Sequence, residues 1–167
     1  MKASIAQSRY LLLLTEPILS GLHDAHLAFE PEPGTKTAGW LVGHLAVTAD
    51  FARHLCGQSA MCPAAWRSAF NPGTQPSHDS AQYPPMTELC DAFWRVHNDL
   101  LVAASNTDPA VLAAANPYAP AREAFPLAGD FVAYLLSSHL SYHLGQLVAW
   151  RAAAGMGRLR RSDALAA

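Results

Sequence analysis

The stretch FVAYLLSSHLSYHLGQLVAW, Phe131 to Trp150, decides how this chain folds. It carries no formal charge, and a bilayer-spanning helix needs about 20 apolar residues, so its length alone is compatible with a membrane span. His139, His143, Gln146 and the serines at 137, 138 and 141 argue instead for a protein interior. At 3.6 residues per turn, Val132, Leu135, Leu136, His139, His143, Gln146 and Trp150 share one arc, with Ser137 and Ser141 behind. A helix apolar nearly all round is buried by protein on several sides. The same count applied to an earlier segment gathers Trp40, Leu41, His44, Val47, Thr48, Phe51 and Leu55. Three imidazoles thus fall on core-facing stripes, where a polar group without a partner costs roughly 1–3 kcal/mol. A divalent metal would satisfy all three.

Working outward, two more segments keep a helical period. One runs from Ser4 to Ala28 with Pro17 expected to kink or interrupt it, since proline removes a backbone donor. The other begins between Pro84 and Thr87 and runs to Ser105 with Leu89, Phe93, Val96, His97 and Leu100 on one side. The His44 helix starts at Thr35 or Thr37, either able to cap it, and stops at Gly57; the last helix spans Leu127 to Ala154. Gln58 to Tyr83 is long, rich in proline and without a sustained period, and loops of that length are usually functional or mobile. Its aromatics Trp66, Phe70 and Tyr83 either line a pocket mouth or pin the loop to the bundle. In the second connection, Asn106 to Pro126, Asp108 can cap a short helix over Pro109 to Ala115. The fold expected is all-α, a four-helix bundle in one domain over residues 1–167, with a long connection between helices 2 and 3.

Composition narrows the partners. The chain has 167 residues, 51% of them hydrophobic and 14% charged, with a formal charge of -2. That excludes a disordered polyelectrolyte and gives no basic footprint for nucleic acid. The one basic cluster, Arg158, Arg160 and Arg161, reads as a solvated tail. Cys56, Cys62 and Cys90 are odd in number and form no CxxC, which suits small core-filling thiols in a reduced, cytoplasmic protein. No signal-peptide core survives Gln7, Ser8, Arg9 and Glu16, so neither membrane nor nucleic acid is an expected partner.

A histidine pair at i, i+4 brings two rings onto one helix face with Cβ atoms about 5–6 Å apart, within reach of one ion at Zn–N distances of about 2.0–2.1 Å. Chance supplies about 0.4 such pairs in a chain with this many histidines, so the pair alone is weak. The inward position of both, and of His44 on another helix, sharpens it. The competing reading has the imidazoles bonded to one another or to backbone. Gln146, three residues after His143, can reach a ring nitrogen or an ion's water as a supporting residue. Thr48 and Trp40 flank His44 on its arc and count as pocket candidates. His97 is either a fourth ligand, a proton shuttle or a satisfied boundary histidine. His23 and His26 near the first helix end, His54 at a rim and His78 beside Asp79 weigh less.

The string Gly39-Trp40-Leu41-Val42-Gly43-His44-Leu45 followed by Leu55-Cys56-Gly57, and the later string His139 to Leu147 with Arg151 after it, resemble the two signatures of the DinB/YfiT-like family. Order and spacing agree over roughly residues 5–156. The resemblance implies a four-helix bundle, a three-histidine metal site at His44, His139 and His143, and homodimers. Many members carry Arg where this chain has Leu144, a departure that leaves the ligands intact and alters a surface contact. Some members are metal-dependent transferases or isomerases using low-molecular-weight thiols.

Three neutral ligands leave an ion its full charge and an open position, as in catalytic rather than structural zinc. Such an ion lowers the pKa of bound water to about 7 or binds a thiol as the thiolate. No carboxylate falls on the inner arcs beside the histidines, which favours a thiol over water and a transferase over a hydrolase. A metal-holding bundle without turnover is the rival from another class. Zinc and nickel are the expected ions, since imidazole accepts both, and a small molecule is the expected substrate. Finally, Ala133, Tyr134, Ser137, Ser141, Leu144, Gly145, Val148 and Ala152 make the back of the last helix free of charge and rich in small residues. Such a face pairs with a second copy, unless the Gln58 to Tyr83 connection covers it.

Overall fold

Thr37 opens the helix around which the others are arranged. Its hydroxyl accepts the Trp40 N–H at 3.3 Å, at the start of α2 (Ala38–Leu55). Every α2 residue except Phe51 and His54 is buried. The all-round burial expected of the last helix therefore belongs to α2, and the reason is side-chain size. Ala38, Gly39, Gly43, Ala46, Ala49 and Ala52 let neighbours close in on several faces; a Cβ on Gly39 would lie 2.7 Å from the Leu27 carbonyl oxygen.

The computed structural model describes residues 1–157 and 159, so Arg158, Arg160 and Arg161 lie outside the described residues. Four helical rods form the bundle: α1 (Lys2–Leu19), α2, α4 (Met86–Asn106) and a terminal rod made of α6 (Ala128–Tyr134), a π-helical turn (Leu135–His139) and α7 (Leu140–Ala153). The short α3 (Trp66–Phe70) and α5 (Pro109–Leu112) lie in the two long connections. Among the described residues there is no strand, only an isolated bridge between Ala115 and Leu127. No helix among them is long and apolar enough to cross a membrane. Leu89, Phe93, Val96 and Leu100 of α4 are fully buried against α2, as their shared face required.

α1 ends at Leu19 rather than Ala28. Gly21 turns the chain at φ +75°, a conformation glycine adopts without strain, and Pro17 falls in the last helical turns. Arg151 completes that end: its Nη1 donates to the carbonyls of Ile18 and Ser20 at 3.1 and 2.7 Å, placing a cation where the helix dipole favours one. Beyond it a 3-10 turn (Asp24–His26) sends Asp24 Oδ1 to the Met86 N–H at 2.8 Å. That carboxylate caps α4, whose own preceding residue, Pro85, has no side-chain oxygen to offer.

The first connection is tied down near its start. Arg53 Nη1 reaches Asp50 at 2.8 Å and the Ser59 carbonyl at 2.9 Å, its Nε pairs with Asp99, and Asp50 accepts the N–H groups of Met61 and Cys62 at 3.0 Å. Trp66 and Phe70 are then buried against the core, so these aromatics pin the segment. The second connection is organised by Asn116, 0% exposed. Its Nδ2 donates to the Phe125 carbonyl at 2.9 Å and its Oδ1 accepts the Tyr118 N–H at 3.0 Å. Asp108 does cap α5, accepting Ala110 N–H at 2.8 Å, but that helix stops at Leu112, short of Ala115.

The π turn explains a second departure from the expected register. A π turn holds one extra residue, so the residues after it sit about 100° behind a strict 3.6-residue count. Leu144, expected on the outer face, accordingly joins the arc of Val132 and is buried in the same cluster as Trp40 and Leu41. It makes no surface contact. Ser141, Gly145, Val148 and Ala152 remain exposed, so the terminal rod is buried on one side only.

Candidate metal centre

His44 projects from the middle of α2, His139 from the end of the π turn and His143 from the first turn of α7. One ligand atom from each lies within 4.8 Å of the other two. The Nε2 atoms of His44 and His139 face each other at 3.2 Å. Two nitrogens about 2.05 Å from a tetrahedral ion would stand about 3.3 Å apart, so this pair already has the spacing of a coordination edge. The donor set is compatible with a divalent metal site.

Two partners fix which nitrogens face inward. His44 Nδ1 lies 2.6 Å from the Phe70 carbonyl oxygen. A carbonyl can only accept, so Nδ1 carries the hydrogen and Nε2 keeps its lone pair. His143 Nδ1 donates to Gln146 Oε1 at 2.7 Å, and Gln146 Nε2 donates in turn to the Tyr142 hydroxyl at 3.2 Å. Such outer contacts orient ligands and set their tautomers. Trp40 stacks flat on His44, centroids 4.5 Å apart at 10°, and its indole N–H bonds Thr74 at 3.0 Å.

Gly43 makes the Phe70 contact possible. A Cβ there would lie 2.6 Å from the Phe70 ring, so only glycine lets that ring sit flat on α2 with its carbonyl on His44. The signature string places this glycine directly before the histidine, yet sequence alone names no partner for it.

Burial keeps the imidazoles neutral. It pushes His44 down to about 4, opposed by the Phe70 bond and aided by His143 and Lys36, and it pushes His139 down to about 3 with His143, His44 and His97 adding to the effect. His143 is also lowered by burial, against its bond to Gln146. Their lone pairs are therefore available at neutral pH.

The other candidates separate. His97 is not in the cluster; it is buried in the core, bonds the Phe93 carbonyl through Nδ1 at 2.9 Å and packs on the Phe93 ring at 4.1 Å. It is a core histidine with one ring nitrogen bonded to its own helix. Thr48 lines the cavity but donates its hydroxyl to the His44 carbonyl at 2.7 Å, within its own helix. His54 lies exposed at the cavity rim, His23 and His26 pair with each other in the 3-10 turn region, and His78 sits 3.6 Å from Glu30.

Burial also pushes His97 from 6.5 down to about 4, against its bond to Phe93. Its folded pKa lies below its unfolded one, so its contribution to stability is intact above pH 6.5 and is lost as pH falls toward 4. The metal-free protein should lose about 1.4 kcal/mol per pH unit for each such histidine across that window. His97→Leu should flatten part of that loss in urea melts at pH 7 and pH 5; a slope unchanged by the substitution would contradict the assignment.

A cavity of about 940 Å³ opens on the three histidines. Asp50 lines it, a buried carboxylate absent from the expected arcs, because α2 is buried on the face where Asp50 sits as well. Its oxygens are already occupied by Arg53, Met61 and Cys62. The far wall is aromatic: Tyr118 stacks on Phe131 at 5.5 Å and 6°, and Phe125 on Tyr134 at 4.7 Å. Tyr118 and Phe125 lie in the second connection, where no helical period marks them as wall residues.

No curated protein and no solved structure matches the chain. A family model does, that of the DinB superfamily, over residues 13–147. That span runs from α1 through both histidine strings, and the helical bundle with its three convergent imidazoles agrees with it: the chain belongs to the DinB superfamily.

Proposed function

We propose that this protein is a metal-dependent enzyme that transfers or isomerises a small molecule with a low-molecular-weight thiol as co-substrate. The observation that carries the reading is the convergence of three neutral imidazoles, two of them oriented by outer hydrogen bonds, at a cavity of ligand size. An ion held by His44, His139 and His143, zinc or nickel in this reading although imidazole also suits copper and iron, would keep an open position and lower the pKa of the group that binds there. The Phe70 carbonyl and Gln146 hold the rings in their ligating tautomer, and the aromatic wall keeps water from the reacting groups. An open cavity at the site favours turnover over a purely metal-holding role.

The chain offers no thiolate of its own. Cys62 lines the cavity, but burial and the nearby Asp50 charge push its thiol up to about 12, against the pull of Arg95, Arg53 and Arg67. Held protonated by its surroundings, it is a poor nucleophile, which favours a thiol from solution. With Asp50 bonded to Arg53, Met61 and Cys62, no free carboxylate lines the cavity among the described residues to activate water either. Activity against a panel of thiols and electrophiles should require both added metal and thiol. Metal-dependent hydrolysis in the absence of thiol would point to a hydrolase instead.

We also propose a cytoplasmic homodimer. All three cysteines are free, and Ser141, Gly145, Val148 and Ala152 form an exposed strip on α7 without a charge. The first connection packs on α2 and leaves this strip open. Ser141→Glu should shift mass in solution from dimer to monomer with the helix content unchanged; a monomeric wild type at micromolar concentration would rule the pairing out.

A further inference from the structure

The cavity's own polar groups say what it is built to hold, given the reading of its histidine end as the reactive end. Several of them are already used. Asp50 is bonded to Arg53 and two backbone N–H groups, and the Thr48 hydroxyl to the backbone of α2. Arg67 is different. It lines the cavity, is exposed, and among the described residues has no carboxylate within ion-pair distance and no side-chain hydrogen bond. It also lies one helical turn before Phe70, whose carbonyl holds His44. Its charge reaches the Cys62 thiol, which lines the same cavity.

Another part of the wall is a chain of rings that starts at the histidines. Tyr134 lies edge-on to His139 at 5.8 Å and parallel to Phe131 at 8°; Phe131 is parallel to Tyr118 at 6°, and Phe51 stands edge-on to Tyr118 at 5.8 Å. Parallel and edge-on faces of this kind accept a further ring at offset-stacked or T-shaped geometry. A single guanidinium matches a planar monoanion such as a carboxylate, which it can grip with two parallel bonds. We propose that the cavity takes a small molecule with a planar aromatic body and a single carboxylate, the body against Tyr118 and Phe131 and the carboxylate on Arg67.

Calorimetric titration of the full chain with 2-naphthoate, with its neutral counterpart 2-naphthalenemethanol and with the saturated decahydronaphthalene-2-carboxylate tests this, using zinc-loaded and metal-free protein. The wild type should bind naphthoate about tenfold more tightly than the alcohol, the effect of one charge-assisted pair at a partly exposed site. It should also prefer naphthoate to the saturated acid. Arg67→Gln, a change at an exposed residue, should erase the preference over the alcohol and leave alcohol binding unchanged. Tyr118→Ala should weaken acid and alcohol alike by about fivefold. Equal affinity for acid and alcohol in the wild type, or a preference that survives Arg67→Gln, would overturn the proposal. A preference that requires zinc but not Arg67 would overturn it while supporting the metal site. Retention of the Arg67-dependent preference by a protein that takes up no metal would support it and refute the metal reading.

Discussion

Replacing His139 with Ala should take the protein from stoichiometric metal binding to none, with the helical fold intact. His139 contributes the nitrogen that already faces His44 at 3.2 Å, and no other cluster of three potential ligands exists among the described residues to replace it. The thermodynamic consequence is large. An ion present at a hundredfold excess over its Kd stabilises the wild type by about 2.7 kcal/mol through mass action. His139→Ala should lose that metal-dependent rise in melting temperature entirely while keeping its far-ultraviolet circular dichroism. His44→Ala and His143→Ala should behave alike. Full metal retention in His139→Ala, by elemental analysis of untagged protein, would remove that residue from the ligand set.

Gly43→Ala should destabilise the protein and weaken metal binding together, although alanine is the better helix former by about 1 kcal/mol. The added methyl would meet the Phe70 ring at 2.6 Å. Phe70 is 0% exposed and has nowhere to swing, so the overpacking should cost about 1–3 kcal/mol. The same shift pulls the Phe70 carbonyl away from His44 Nδ1, and loss of such an orienting contact lowers metal affinity about 10–100-fold. Gly145 supplies the control: it lies in α7 with nothing within 4 Å of a Cβ. Gly145→Ala should therefore leave metal affinity unchanged. Equal effects at the two glycines would mean that Phe70 does not hold His44.

The helical periods were legible because the core is built on them. Thr37 as a cap, Gly57 as a stop, the shared face of Leu89 to Leu100 and the inward aim of His44, His139 and His143 all come from counting residues along a helix. Gln146 was legible too, since a residue at i+3 shares a helix face with His143. What counting misses is anything that breaks the count. The π turn ending at His139 re-aims Leu144 into the core, and no residue in Leu135–His139 announces it. Gly21, not Pro17, sets the end of α1, because a proline in the last turn removes little. Long-range tertiary contacts carry no local signal at all. The Phe70 carbonyl reaches His44 across 26 positions, and Tyr118 finds Phe131 only once Asn116 has folded its connection. The binding end of the site was thus readable in the chain, whereas its outer contacts and its substrate wall come from loops.

X-ray absorption at the edge of the bound metal tests the central claim most directly. For protein loaded with one equivalent of zinc, the account predicts three imidazole nitrogens at about 2.0–2.1 Å in the first coordination sphere, with the multiple scattering of histidine rings. A sulfur scatterer at about 2.3 Å, or a shell of oxygens without ring scattering, would contradict it.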